Sequence, residues 1–229
     1  MEPHQIPIIA IDGTSSSGKG TIASLLAKQL GFNYLNSGAL YRLAAHLAVV
    51  NNIDINDHNE ENLDKVVTLI LEESRHIDFI EKQVIYRGQD IWPLLSSQEA
   101  GNNAALISFY PPLRYAIKDF QRGRIQAPGL VAEGRDMTTS VFTDAKAKLY
   151  LDASVEARAK RRLKDEEKRS SGKTYEILCE ELEKRDATDK AHSVGALKLA
   201  EDALFIDTSD MTIEQVLESC IAHCKEKGV

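Results

Sequence analysis

The chain has 229 residues, of which 43% are hydrophobic and 28% are charged, a composition typical of a folded globular protein and not of a disordered one. Its 28 basic and 35 acidic residues give a net charge of −7, which argues against the basic surface of a general nucleic-acid binder. No apolar run approaches the roughly 18 residues of a membrane-spanning helix, and the run at 6–11 is too short for a signal-peptide core. We therefore expect a cytoplasmic protein with neither nucleic-acid nor membrane partners.

The cysteines favour a reducing compartment. There are three, Cys179, Cys220 and Cys224, and they form no CxxC pair. An odd number without such pairs is typical of free thiols. Cys220 and Cys224 lie four residues apart beside His223, but a metal site needs more ligands than this spacing supplies, so we interpret them as ordinary helix residues.

The N-terminal part of the chain predicts a strand, a glycine-rich loop and a helix. Residues 6–12 form a continuous apolar run that ends in an acid, which is typical of a parallel strand buried on both faces. From Gly18, apolar residues recur at helical spacing until Gly31. Residues 32–36 predict a second strand, and Ser37 is expected to cap a helix that runs to residue 50.

Later runs continue this alternation. They predict strands at 130–132, 148–151 and 203–206, followed by an amphipathic helix at 212–227 that is capped by Asp210 or Thr212. Strands that alternate with helices predict an α/β fold with a parallel sheet.

One stretch interrupts the alternation. Residues 76–80 and 84–87 predict a β-hairpin around the polar turn 81–83, and helical patterns follow at 97–107 and 112–126. We interpret this stretch as an insertion into the α/β core.

The loop after the first strand predicts a phosphate-binding site. Its sequence, GTSSSGKGT, has a glycine and four residues before Gly-Lys and lies between a predicted strand and a predicted helix, the context that this motif requires. Backbone N–H groups of such a loop cradle phosphate oxygens, and the lysine reaches the terminal phosphates. Thr21 is the expected magnesium-side hydroxyl. The residues expected to bind the nucleotide phosphates are Gly13, Thr14, Ser15, Ser16, Ser17, Gly18, Lys19, Gly20 and Thr21.

Two arginines follow the ends of other predicted strands. Arg42 belongs to the segment NSGALYR at 36–42, and Arg135 belongs to EGRD at 133–136. Ligands collect outside the carboxyl ends of strands in an open α/β sheet, so both segments are expected at one crevice with the loop. We interpret these arginines as forks for a second phosphate group.

Several characteristic segments span nearly the whole chain. They comprise IAIDGTSSSGKGT at 9–21, NSGALYR at 36–42, the GQDI segment with SQEAGN at 88–102, GLVAEGRDM at 129–137, KLYLDAS at 148–154 and EKRDATD at 183–189. Together they resemble the bacterial cytidylate kinase family of phosphate-loop nucleoside monophosphate kinases. The resemblance implies ATP-dependent phosphorylation of CMP and dCMP with Mg²⁺, carried out by a monomer.

The resemblance also implies an architecture for residues 1–229 as a single kinase chain. The core is a five-stranded parallel sheet flanked by helices, and the acceptor region carries the inserted hairpin and helices. The implied parts are a core at 1–36, 127–153 and 191–229, a monophosphate-binding region at 37–126, and a helical lid with its adjoining helix at 154–190.

Roles for individual residues follow from matching positions. Ser37, Arg42 and Arg135 are expected to hold the acceptor phosphate, and Lys19, Arg135, Arg158 and Arg162 are expected to act in catalysis. In the basic segment RAKRRLK at 158–164, Arg158, Arg161 and Arg162 are expected to meet the donor phosphates. The remaining acceptor-side matches are Tyr41, Asp136 and Arg114 in the nucleoside pocket and Arg185 and Asp189 near the cytosine ring.

Four positions depart from the family pattern. Ser96 and His192 stand where arginines are common, Ala105 where a serine touches the base, and Thr138 where glycine is usual after GRDM. These departures concern base and sugar preference more than phosphate chemistry.

Two alternatives compete with this interpretation. A phosphate-loop kinase of another monophosphate or of a small metabolite alcohol would share the loop, and an alcohol would need a carboxylate such as Asp136 to take its proton. Glu133 and Asp136 are candidates for ordering magnesium-bound water near the transfer, and the sequence does not distinguish this role from a structural one. A non-catalytic nucleotide switch is the other alternative, with the departures as traces of lost catalysis.

Overall fold

The structure is a computed structural model that describes residues 6–56, 59–80, 83–168, 172–191 and 195–229, with backbone alone at 165–168. Its strands are Ile8–Gly13 (β1), Asn33–Asn36 (β2), Ile77–Ile80 (β3), Gln83–Tyr86 (β4), Gln89–Asp90 (β5), Leu130–Gly134 (β6), Ala147–Asp152 (β7) and Leu204–Asp207 (β8). Its helices are Lys19–Leu30 (α1), Ser37–Val50 (α2), Glu60–Glu73 (α3), Trp92–Leu95 (α4), Gln98–Ile107 (α5), Pro111–Gly123 (α6), Val155–Lys168 (α7), Tyr175–Ala191 (α8) and Ile213–Glu226 (α9). Ser74–His76 forms a 3₁₀ turn, and Met137–Val141 forms a π-helical turn.

The central sheet has five strands in the order β2-β6-β1-β7-β8. Every pairing is parallel, and β1 lies in the middle, with Ala10 opposite Ala132 of β6 and Lys148 of β7. The predicted five-stranded parallel sheet is therefore confirmed. The carboxyl ends of β1, β6 and β7 lie side by side and carry the residues described below.

Two apolar layers cover the sheet because successive strand residues point to opposite faces. Ile8 and Ala10 pack into a cluster with α2, α3 and α6, whereas Ile9 and Ile11 pack into a cluster with α1 and α9. All six residues of β1 are buried. This explains the continuous apolar run in the sequence.

The predicted hairpin is confirmed as part of a three-stranded antiparallel sheet in the order β3-β4-β5. The third strand, β5, has two residues and was not predicted. Tyr86 and Arg87 both bond to the Glu73 carboxylate at the end of α3, which fastens the hairpin to that helix. Residues 81 and 82 of the predicted turn lie outside the described residues.

Helix caps differ from the prediction in one place. Asn36 caps α2, its side-chain oxygen accepting a hydrogen bond of 3.0 Å from the backbone N–H of Ala39, and Ser37 is the first helical residue. The Ser37 hydroxyl instead accepts a bond of 2.8 Å from the Gln121 side chain. At the other end of the chain, Thr212 caps α9 in a capping box with Gln215, as one of the two predicted caps.

Within the ranges described above, no helix is long and apolar enough to cross a membrane, and no group of three or more His, Cys, Asp or Glu side chains is placed to hold a metal ion. The three cysteines are free thiols. Burial raises the pKa of Cys220 to about 12 and that of Cys224 to about 11, so both thiols are protonated. Both are buried residues of α9 that pack into the apolar cluster shared with α1.

Candidate functional site

Two cavities meet at the carboxyl edge of the sheet. The larger, about 810 Å³, runs from the loop between β1 and α1 toward α7 and α9, and the smaller, about 340 Å³, lies between α2, α5, β6 and α8. Both are lined by Lys19, Gly20 and Arg42. A ligand in each cavity would therefore approach its neighbour beside the lysine.

Backbone contacts fix the loop between β1 and α1. A Cβ atom on Gly13 would lie 2.0 Å from the carbonyl oxygen of Leu151, so only glycine lets the loop lie this close to β7. The Thr14 hydroxyl donates a bond of 2.6 Å to the Asp152 carboxylate. Gly18 adopts a left-handed conformation with φ of 91°, and α1 begins at the next residue. Its N-terminus points into the larger cavity, as a phosphate-binding loop requires.

Lys19 and Ser17 have side-chain groups at this loop that can form further hydrogen bonds. The Lys19 Nζ donates to the carbonyl oxygen of Thr14 at 3.0 Å and has further donors available. Burial lowers its pKa to about 8, against the opposing pull of the Glu133 carboxylate. The Ser17 hydroxyl is buried without a hydrogen-bond partner among the described residues. Both features fit a site that receives an anion.

A metal would find suitable oxygen donors beside the loop. The Thr21 side chain lines the larger cavity, and the buried Glu133 carboxylate lines the smaller one next to Gly20. Mg²⁺ is usually held by one or two protein oxygens together with substrate phosphates. These residues fit such an ion, and the role of Thr21 in holding it stays a prediction.

The basic residues of α7 divide into two groups. Arg161 and Arg162 line the larger cavity, where Arg161 also donates to the carbonyl and hydroxyl oxygens of Thr208. Arg158 lines neither cavity. Its side chain is 3% exposed and binds protein acceptors, among them both oxygens of Asp186. This placement differs from the expectation that Arg158 meets the donor phosphates.

Arg42 and Ser37 line the smaller cavity from α2. The Arg42 Nη1 donates to the carbonyl oxygens of Leu95 and Ser97, at 2.6 and 2.8 Å. Burial, together with the neighbouring arginines, lowers its pKa to about 10. The Ser37 hydroxyl accepts from Gln121 and keeps its own hydrogen for an acceptor in the cavity.

A charged cluster closes the same cavity opposite α2. The Asp189 carboxylate forms ion pairs with Arg135, which follows β6, and with Arg185, one turn earlier on α8. Arg185 also donates to the carbonyl oxygen of Gly101 at 3.3 Å. Burial lowers the pKa of Arg135, because the charged guanidinium loses its hydration. These three predicted residues are therefore brought together.

Arg114, Asp136 and Tyr41 form a second cluster in this cavity. Arg114 pairs with the Asp136 carboxylate, and its guanidinium carbon lies 5.7 Å from the centre of the Tyr41 ring. Burial raises the pKa of Asp136, and the paired arginine opposes that rise. All of the predicted acceptor-side residues thus line one cavity.

Asp12 supports this cavity and was not identified from sequence. It is fully buried, and its carboxylate accepts hydrogen bonds from the backbone N–H groups of Met137 and Thr138 and from the Thr138 hydroxyl. Burial raises its pKa to about 6. The turn that it holds comes directly after Arg135 and Asp136, so Asp12 fixes where these two residues leave β6. An acid at the end of a buried apolar run was the available sequence signal.

The four departures from the family pattern have different surroundings. Ser96 lines the larger cavity, and Ala105 is a half-buried residue of α5 that lines neither cavity. Thr138 binds Asp12, as described above. His192 lies outside the described residues.

The family model and the relatives compared by sequence agree on one family. The family model described as cytidylate kinase matches residues 9–226. The cytidylate kinase of Pseudomonas aeruginosa (strain LESB58) is 40% identical, and the match covers 97% of each chain. That of Aeromonas salmonicida (strain A449) is 38% identical over 98% of this chain and 96% of the relative, and that of Ralstonia nicotianae is 41% identical over 92% and 89%. Among solved structures, TT1252 from Thermus thermophilus aligns with a TM-score of 0.43 and 22% identity over 94% of this chain and 96% of that chain.

Proposed function

The chain belongs to the cytidylate kinase family, and from that premise we propose that it transfers the terminal phosphoryl group of ATP to CMP and dCMP, giving ADP and the corresponding diphosphate. The observation that carries the proposal is the meeting of the two cavities at Lys19. ATP would occupy the larger cavity, with its phosphates on the loop, and the monophosphate would occupy the smaller one.

The acceptor needs little activation by a base. The second pKa of a phosphate monoester is about 6, so the attacking oxygen of the monophosphate is mostly deprotonated at neutral pH. The remaining task is to hold two polyanions in line and to neutralise the charge between them. Ser37, Arg42 and Arg135 are the proposed grip on the acceptor phosphate.

Lys19 is the proposed stabiliser of the transferring group. Its ammonium lies where both cavities meet, and the charge that develops in transfer spreads over oxygens within its reach. Arg161 and Arg162 would add positive charge from α7. Thr21 would hold Mg²⁺ on the donor phosphates, where the ion supplies further charge neutralisation.

Recognition of the base is proposed for Asp189 and Arg185. A carboxylate can accept from the exocyclic amine of cytosine, and a guanidinium can donate to its ring acceptors. Uracil presents a carbonyl where cytosine has the amine, so the carboxylate would repel it. Tyr41, Arg114 and Asp136 would line the nucleoside pocket beside this pair.

The division of the chain is part of the proposal. The core would comprise 1–36, 127–153 and 191–229, the acceptor region 37–126, and the lid with its adjoining helix 154–190. The monomeric state and the cytoplasmic compartment expected from the sequence stay predictions.

A small alcohol fits less well as the acceptor. Such a substrate needs a carboxylate that is available to take its proton. Asp136, the residue considered for that role, is paired with Arg114. Four arginines line the acceptor cavity and favour a substrate that brings its own negative charge; they are Arg42, Arg114, Arg135 and Arg185.

The test is ADP formation from ATP with CMP, dCMP, UMP, AMP, shikimate or water alone. We expect CMP and dCMP to give the highest kcat/KM and water to give almost no ADP. A highest rate with shikimate would indicate an alcohol kinase, and nucleotide binding without ADP formation for any acceptor would indicate a switch. Lys19→Ala is the control for contaminating kinases.

A further inference from the structure

We propose that Arg158 is a positioning residue that ties the phosphate-binding loop to helix α8 and so places Arg185 and Asp189 over the acceptor cavity; this inference rests on the proposed function. Arg158 lies in the first turn of α7 and is 2% exposed. Such burial of an arginine is rare unless its donors are all engaged.

The guanidinium connects three separate segments. Nε donates to the carbonyl oxygen of Ala153 at 2.9 Å, just after β7, and Nη1 donates to that of Ser15 in the loop at 3.3 Å. Nη1 and Nη2 donate to the two carboxylate oxygens of Asp186 on α8, at 3.0 and 2.5 Å. The forked pairing fixes direction as well as distance.

Asp186 stands between the two base-recognising residues of α8. Arg185 precedes it directly, and Asp189 follows three residues later in the same helix. Both line the acceptor cavity, whereas Asp186 does not. A helix is rigid over one turn, so the position of Asp186 sets that of its two neighbours. The loop that binds the donor and the helix that binds the acceptor are therefore linked through one side chain.

The other arginines of α7 differ from Arg158 in their surroundings. Arg161 and Arg162 line the donor cavity, but Arg158 lines neither cavity. For Arg158 to touch the phosphates it would have to leave Asp186, whose side chain is 13% exposed. Removing one partner from a buried pair is costly because the other charge is left uncompensated. The contacts therefore assign Arg158 to positioning and not to catalysis.

The experiment compares Arg158→Lys, Asp186→Asn and the double variant. Each keeps approximate size, and each removes the forked pairing. The matched controls are Lys160→Ala, an exposed cation of α7, and Glu183→Gln, an exposed carboxylate of α8. The readouts are kcat, the KM for CMP and for ATP, the CMP-to-UMP preference, and the Kd for CMP alone by calorimetry.

We expect both single variants to raise the Kd and KM for CMP by on the order of tenfold and to weaken the CMP-to-UMP preference, with the KM for ATP nearly unchanged. The Kd and KM of the double variant for CMP should not exceed those of the weaker-binding single variant, because both changes break the same Arg158–Asp186 pairing. The controls should match the unmodified protein.

A direct contact with the transferring phosphoryl group gives a different pattern. Arg158→Lys would then lower kcat by on the order of 100-fold with the Kd for CMP unchanged, and Asp186→Asn would retain kcat. That result, or effects of the two variants that multiply, would overturn the inference. Should Arg158→Lys fail to fold, the Kd of Asp186→Asn for CMP decides alone. Failure of the proposed function is distinguishable, because the unmodified protein would then show no measurable Kd or turnover with CMP.

Discussion

The hydroxyl of Thr138 donates a hydrogen bond of 2.6 Å to Oδ2 of Asp12, and both side chains are buried. The bond joins the end of β1 to the turn that follows Arg135 and Asp136. A glycine at position 138 would leave the backbone bonds to Asp12 in place and remove this one. The chain thus uses a side chain of its own to hold a turn beside the acceptor cavity.

Removing this hydroxyl should lower stability in a pH-dependent way. We expect Thr138→Val to lower the free energy of unfolding by about 1.5–3 kcal/mol at pH above 7, because a hydrogen bond to a buried charged group is lost. Thr138→Ser is the control and should retain most of that free energy. Denaturation in urea measures the difference.

The sign of the pH dependence follows from Asp12. Burial raises the Asp12 pKa to about 6, and the Thr138 bonds lower it, so the hydroxyl favours the ionised carboxylate. Without the hydroxyl the Asp12 pKa is higher still, so the contribution of the hydroxyl is fully present only above that higher pKa and is lost as the pH falls to about 6. A loss in Thr138→Val that grows toward acid pH would contradict this account.

Lys19 should impose an alkaline limit on activity. Burial lowers its pKa to about 8, so the free enzyme loses the charged ammonium above that pH. Because kcat/KM reports groups of the free enzyme, we expect kcat/KM for ATP to fall as the pH rises past 8. Lys19→Arg should retain some activity and should not show this fall in kcat/KM at alkaline pH, since a guanidinium stays charged. If kcat/KM for ATP of the unmodified enzyme stayed constant well beyond this pH, the charge that stabilises the phosphates would belong to a group other than Lys19.

A side chain at position 101 should weaken CMP binding, because it would displace Arg42. A Cβ atom at position 101 would lie 2.8 Å from Nη2 of Arg42, so Gly101→Ala must displace the guanidinium. We expect the KM for CMP to rise by on the order of tenfold, with the KM for ATP little changed. Gly123→Ala, where an added Cβ meets nothing within 4 Å, is the matched control. Equal effects of the two substitutions would mean that helix propensity alone is responsible.

Asp189 should set the choice of base. We expect Asp189→Asn to narrow the CMP-to-UMP preference on the order of tenfold, because an amide can donate to the uracil carbonyl that a carboxylate repels. Glu183→Gln, an exposed change on the same helix, should leave the ratio unaltered. The measurement is kcat/KM for each monophosphate at saturating ATP. An unchanged ratio in Asp189→Asn would place base selection on other residues.

Local patterns were sufficient to predict the sheet and the phosphate loop. The strand at β1 is a continuous apolar run, and the glycines and lysine after it have fixed spacing, so neighbours in sequence carry the information. Helix α3 was not predicted, although its buried Leu63, Val66 and Ile70 recur at helical spacing. That pattern could have been found from sequence.

Other features depend on contacts between distant parts of the chain. Ser37 and Asn36 are both good capping residues. In the structure Asn36 is the cap, and the Ser37 hydroxyl accepts a hydrogen bond from Gln121, 84 positions away in the chain. Arg158 belongs to a basic run that is typical of a phosphate-facing segment, yet its surroundings are set by Asp186 and Ser15. Charge alone does not distinguish an arginine that binds substrate from one that binds the protein.

The central claim is tested most directly by following the γ-phosphoryl group of ATP. The unmodified protein is incubated with ATP labelled at that group and with CMP, and the products are separated. The account predicts that the label appears as the β-phosphate of CDP and that Lys19→Ala forms CDP at least about 100-fold more slowly. Label recovered as inorganic phosphate, or CDP formed equally well by Lys19→Ala, would contradict it.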